Sequence, residues 1–265
     1  MSNQKTTSGG FSFMTAAVAI LVALVLGEII YNFILGAPSH FDAEGHPKAG
    51  DLLGMMYKGG IIVPILIAIL ITIVTFSIER LMTIGKAKGK GNITTFVRSI
   101  QSLVEHNQLD EAIAACDKQQ GSLANVVRAG VEKLKVINSD SSMDKDSKEV
   151  AITKEIEEAT SLELPMLSKN LVIISTCATI ATLFGLIGTV FGMIRSFAAL
   201  ANAGAPDTTA LATGISEALI NTAIGIISSV IGIIMYNYFS TRVDAITYSM
   251  DEAGFSIVQS VSSHK

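Results

Sequence analysis

Catalytic signatures are missing from this 265-residue chain: it has no H-E-x-x-H and no G-x-S-x-G. Its histidines, His40, His46, His106 and His264, all fall outside the long apolar runs, so none pairs with a serine or cysteine there. Only two cysteines occur, Cys116 and Cys177, too few and too isolated for a disulfide framework or a metal set. Both read as small apolar residues. No stretch alternates with the period of two that barrel strands need. The glycine- and lysine-rich run Gly85–Gly91 follows no strand and lacks the Ser/Thr of a phosphate-binding loop. These absences exclude an enzyme as the leading reading and leave no call for a cofactor, a metal or nucleic acid. The His40, Asp42, Glu44 and His46 set matches no metal spacing and reads as part of a solvated, flexible loop.

What the chain has instead is apolar length. Apolar residues make up 49% of it and the mean hydropathy is +0.51, values that a water-soluble protein of this size seldom shows. Four windows of about 20 apolar residues suit helices that cross a membrane. The expected organisation is a tail at 1–10, spans at 11–35, 60–83, 171–200 and 211–239, short outer loops at 36–59 and 201–210, a helical cytoplasmic domain at 84–170 and a cytoplasmic tail at 240–265. Orientation follows from the basic residues: twelve Lys and Arg lie between Gly85 and Lys169, two between Gly36 and Gly59, and none between Ala201 and Ala210. The fold class is therefore an all-α integral membrane protein, with long helices continuing into a helical cytoplasmic domain.

The spans differ in character. Residues 11–35 form a retained peripheral helix, longer than a secretion-signal core, with Glu28 near the outer interface. Residues 60–82 are almost all Ile, Leu and Val and show no polar stripe, which predicts a helix facing lipid around most of its circumference. Glu79 and Arg80 mark its cytoplasmic boundary. The last two spans carry stripes of small and hydroxyl residues at helical spacing: Ser175, Thr179, Thr182, Gly185, Thr189, Gly192 and Ser196 on one, Gly214, Glu217, Asn221, Gly225, Ser228 and Gly232 on the other. Such stripes predict a shared interface or a lumen, with Thr182, Ser196, Asn221 and Ser228 as candidate lining residues. Glu217 is the central feature, because a carboxylate at membrane depth costs several kcal/mol and is seldom without a function. Arg195, near the outer end of its helix, is expected to snorkel or to pair with Asp207.

Between the second and third spans the period becomes that of short amphipathic helices: one capped by Asn92, one over Gln108–Lys118 and one begun by Gly121. After the polar run Asn138–Lys148 a helical pattern resumes near Ser147 and, bent at Pro165, is expected to continue unbroken to about Leu200.

The runs GLIGTVFGMIRSF (Gly185–Phe197) and GISEALINTAIGIISSVIGIIMYNYF (Gly214–Phe239), preceded by a large cytoplasmic region, resemble the MotA/TolQ/ExbB proton channel family, and most closely its ExbB branch. The resemblance covers about Gly60 to Phe239. It implies a pentamer, a single-span partner of the ExbD type carrying an essential aspartate, a TonB-like protein that delivers the work, and residence in the bacterial inner membrane. It also implies a proton pathway through Glu217, Thr189 and Thr222, although Thr222 lies some 140° around the helix from Glu217 while Asn221 shares its face. Two departures stand out: Thr182 and Ile231 replace prolines common in the family, and the first span is additional to the three-span ExbB and TolQ plan. TolQ-like envelope maintenance, MotA-like stator work and a non-conducting scaffold are the alternatives.

Overall fold

The computed structural model describes residues 13–139, 143–201 and 208–263, and among them helix accounts for nearly everything. Among the described residues, four helices are long and apolar enough to cross a membrane. The chain is an all-α membrane protein. It divides into two compact units. One takes in the described residues up to Ile78 together with Asn170–Tyr236; the other takes in Glu79–Lys169 and the residues from Asn237 onward.

In the first unit, α1 (Phe13–Ile29) widens into a π-helical segment, Ile30–Leu35. Its span is only 17% buried, in keeping with a peripheral helix. The buried face is made of small residues, Ala16, Ala23 and Gly27, and at Gly27 a Cβ would lie 2.5 Å from the carbonyl oxygen of Pro64. That approach seats α1 on the start of α3 (Ile62–Ala87). Glu28 is exposed and accepts a hydrogen bond from Asn32 Nδ2 at 2.7 Å.

The loop between α1 and α3 is more ordered than expected. Asp51 caps α2 (Leu52–Tyr57), its Oδ1 accepting from the amides of Leu53 and Gly54 at 3.0 and 3.1 Å, while its Oδ2 lies 2.7 Å from His40 Nδ1. Asp42 accepts from the amides of Glu44 and His46 and closes a turn. These side chains build the loop, and among the described residues no three His, Cys, Asp or Glu are grouped to hold a metal. Tyr57 stacks on Tyr31, whose hydroxyl donates to the Tyr57 carbonyl at 3.0 Å, and α2 is thereby tied to the π segment.

The hydrogen bond from His40, followed by that from the Gly54 amide, holds the Asp51 carboxyl below its ordinary value. A depressed acid stabilises the fold above its unfolded pKa and loses that contribution as pH falls through the folded one. The protection of the Leu53 and Gly54 amides, with the intrinsic exchange rate divided out, is therefore expected to hold at neutral pH and to be lost only as pH falls through the lowered Asp51 pKa.

The expectation for α3 is corrected. It is the most enclosed of the four spans, at 56%, with Val63, Leu66, Ile67, Ala68, Ile73 and Phe76 buried and Thr72 and Ser77 buried with them. An all-aliphatic surface packs against helices as readily as against lipid, so the missing polar stripe did not distinguish them.

The second unit contains α4 (Ile93–Glu105), α5 (Leu109–Gln119), α6 (Gly121–Asn138) and α7 (Lys145–Ser168). Asn92 caps α4 as read, accepting from the Thr94 amide at 2.9 Å. Cys116 is buried in its core; burial, aided by neighbouring Asp117, pushes its thiol up to about 12, so it behaves as an apolar residue. Cys177 is only partly buried.

Two further expectations are overturned. The helix expected to run unbroken to Leu200 is interrupted at Lys169–Asn170, where Asn170 takes a left-handed φ of 63°, and α8 (Leu171–Ala201) begins anew. The residues expected to form a C-terminal tail instead continue α9, a 56-residue helix from Thr208 to Ser263. Phe239, Val243, Ile246, Met250, Ala253 and Ile257 are all buried along it, at alternating steps of four and three.

Candidate functional site

α8 and α9 are antiparallel, and their glycine stripes face each other. A Cβ on Gly192 would meet Gly214 and Ala218, one on Gly188 would meet Asn221, one on Gly185 would meet Gly225, and Gly232 abuts Ala178. Each turn down α8 is answered by a turn up α9. At Gly188 the hypothetical Cβ falls against Asn221 Cβ, well inside contact distance, so any side chain there must force the two helices apart. Gly188→Val should destabilise the protein by about 1–3 kcal/mol, the usual cost of overpacking a close contact. Detergent-solubilised protein heated and re-chromatographed provides the measure; a variant as heat-resistant as the parent counts against this packing.

This interface settles which stripe residues face outward. Ser196 is 1% exposed and donates to the Leu211 carbonyl at 3.1 Å; Asn221 and Ser228 are wholly buried. Association cannot expose atoms that a chain already encloses, so these three do not line a lumen between copies of this fold. The expectation is corrected for Ser196, Asn221 and Ser228, and Ile67, expected to face lipid, is also buried. Thr182, Thr189 and Thr222 remain half-buried. Thr189 donates to the Leu186 carbonyl at 2.6 Å, and Thr222 to those of Ala218 and Gly185 at 3.3 and 3.4 Å. Neither hydroxyl bonds to Glu217.

Glu217 lies within this interface at 4% exposure. Its two oxygens each stand 2.7 Å from one nitrogen, Arg195 Nη1, which α8 presents from a turn beyond Gly192. Arg195 itself is 58% exposed, so the pair joins an enclosed anion to a cation with open space beside it. The third wall is backbone. Gly60, at φ 74°, presses on the carboxylate so closely that a Cβ would lie 2.5 Å from Glu217 Oε1, and a side chain is excluded there by both sterics and conformation. One turn below, Asn221 Nδ2 donates to the Gly59 carbonyl at 2.8 Å, which fixes the Gly59–Gly60 corner against α9. Asn221 Oδ1, Ser228 Oγ and Ser77 Oγ are enclosed with no hydrogen-bond partner among the described residues. A cleft of about 400 Å³, lined by Arg195, Thr209, Ala210, Thr213, Gly214 and Glu217, opens beside the ion pair.

The structure therefore brings together Glu217, Asn221, Arg195 and the Gly59–Gly60 corner, and leaves Thr189 and Thr222 bonded to the backbone beside them. The alternative partner expected for Arg195, Asp207, lies outside the described residues. Arg195 as the counter-ion of Glu217 was missed, although a signal was available: the two stripes pair antiparallel across a short loop, which leaves Arg195 about one turn from the residue facing Glu217 and within side-chain reach of it.

Residues 118–252 match the model of the MotA/TolQ/ExbB proton channel family. Among curated proteins the chain is similar to the Tol-Pal system protein TolQ of Pseudomonas aeruginosa, 25% identical over 153 residues, which cover 58% of this chain and 66% of that protein. It is also similar to the Tol-Pal system protein TolQ of Haemophilus influenzae, 33% identical over 88 residues, covering 33% of this chain and 39% of that protein. The matched stretch spans less than two thirds of the length of either relative.

Proposed function

Because this chain belongs to the MotA/TolQ/ExbB proton channel family, a family of inner-membrane motor subunits and not of enzymes, we propose that it carries protons at Glu217. The observation behind this reading is a carboxylate, 4% exposed, on a helix long and apolar enough to cross a membrane. Its partner, Arg195, is exposed enough to move away. A carboxylate can take and give up a proton where a metal cation would need a full oxygen cage, and a carboxylate within an apolar span is costly enough to be kept for such a task. Thr189 and Thr222 serve the same route as hydroxyls on the shoulders of α8 and α9. The basic residues of the second unit support a cytoplasmic location for it.

In this reading copies of the chain, five by resemblance, surround a single-span partner of the ExbD type, and proton flow is coupled to work delivered through a TonB-like protein to the outer membrane. The sequence runs of α8 and α9 support that ExbB-like assignment. The two TolQ relatives support a second one, in which the same proton chemistry serves a Tol-Pal-type system. A deletion strain separates them: loss of energised outer-membrane uptake identifies the first, loss of envelope integrity with uptake intact the second. Both require a partner. The affinity-tagged chain is expected to co-purify with a single-span membrane protein, and the complex in liposomes should pass protons under an imposed potential. A complex that holds the gradient indefinitely with its partner present removes the conducting reading.

A further inference from the structure

The ion pair at the site is asymmetric in a way that assigns it a task. Glu217 is enclosed by α8, Gly60 and Asn221, so the carboxylate has nowhere to go. Arg195 is 58% exposed and faces the cleft of about 400 Å³. A long side chain with its head at an opening reorients at little cost, whereas a short one locked in a helix interface does not. When the pair separates, it is the arginine that moves.

While it stays, one guanidinium nitrogen occupies both carboxylate oxygens at 2.7 Å, and Gly60 covers what remains. An arginine keeps its charge in any protein environment, so it neither supplies nor accepts the proton itself. Among the described residues, Tyr31 and Glu28 are engaged elsewhere. Tyr31, within electrostatic range of both members of the pair, has its hydroxyl bonded to the Tyr57 carbonyl, and Glu28 is bonded to Asn32.

We infer that Arg195 is a latch on Glu217: in the resting subunit it closes both oxygens to proton exchange, and by swinging into the cleft it opens them. Arg195 is thus a positioning residue that keeps the subunit proton-tight until work is demanded. The inference rests on Glu217 being the proton-carrying group.

The test is passive proton leak through the full chain in liposomes under a potassium diffusion potential, read with an enclosed pH dye. Arg195→Gln should leak at least tenfold faster than the parent. Arg195→Lys, which keeps a cation there, should stay tight. The double variant Arg195→Gln with Glu217→Gln should be tight again, because the leak runs through the freed carboxylate. An assembled Arg195→Gln protein as tight as the parent overturns the latch, and so does a double variant as leaky as the single one, since that leak would reflect loosened packing. Should Arg195→Gln fail to assemble in detergent, labelling by a hydrophobic carbodiimide in native membranes takes its place: Glu217 should react several-fold faster in the variant, and equal rates overturn the inference. The parent reading fails separately, if Glu217→Gln alone leaves proton-driven work intact.

Discussion

Glu217→Gln is expected to stop all proton-driven work in a complex that still assembles. The amide has the volume of the acid, and its carbonyl can still accept a hydrogen bond from Arg195, 2.7 Å away in the parent. Arg195, more than half exposed, loses a charge partner but not its access to water, so the structural cost is small. What the amide lacks is an exchangeable proton. Losing a proton-transfer group at this position should lower the driven rate by about a hundredfold or more. Glu217→Asp should keep part of the activity: it still titrates, but it ends one methylene short of Gly60 and Arg195. Thr189→Val should impair without abolishing, since its hydroxyl bonds to the Leu186 carbonyl and water can stand in for it in a wet path. The measurement is uptake or envelope function dependent on proton-motive force in cells lacking the native gene, with partner pull-down as the control for assembly. Full activity from an assembled Glu217→Gln complex would leave only a non-conducting scaffold.

The residues that made Glu217 visible in the sequence did so through cost. One carboxylate in an apolar span, 211–239, that is otherwise uncharged needs no structure to be noticed, and the capped helix after Asn92 is equally local, fixed by one side chain and the apolar period that follows it. The errors came where the answer depended on what lay opposite. Isoleucines of α3 look the same against lipid and against α9. Ser228 and Asn221 look the same in a lumen and in a helix interface, and only the facing glycines of α8 show that the stripe is closed by a partner helix. The end of α9 was obscured differently. Arg242, Asp244, Asp251 and Glu252 give residues 240–260 the average polarity of a tail, yet the apolar residues between them keep a strict helical step from Phe239 to Ile257. Period, which survives dilution by charge, was the better guide than composition.

Arg80 illustrates the same limit and carries the second large effect. In the sequence it is one basic residue at the end of an apolar run. In the fold it is wholly buried, with Nε and Nη2 donating to the two oxygens of Glu79 at 2.7 and 2.5 Å, and Nη1 donating to the carbonyls of Met166 and Leu167 at 3.2 and 3.3 Å. Those carbonyls belong to the last turn of α7, where helix acceptors have no partner of their own and the helix dipole favours a cation. A planar, forked donor reaches carboxylate and carbonyls at once; lysine cannot. Arg80→Ala should therefore cost about 3–5 kcal/mol, because it strips the guanidinium from an enclosed carboxylate and leaves the α7 terminus unmet. Arg80→Lys should fall between the parent and Ala. Glu79→Gln should cost less than Arg80→Ala, since Thr83 still donates to that side chain, at 3.0 Å in the parent, and the α7 carbonyls keep their arginine. Replacing both Glu79 and Arg80 with methionine should recover much of the loss, as an apolar pair leaves no buried charge behind, although the α7 carbonyls stay unpaired. Limited proteolysis of the purified protein is the readout: cleavage within Glu79–Lys169 should accelerate strongly for Arg80→Ala and weakly for the double methionine variant. An Arg80→Ala protein as resistant as the parent would show that α7 is held by its packing on α6 alone.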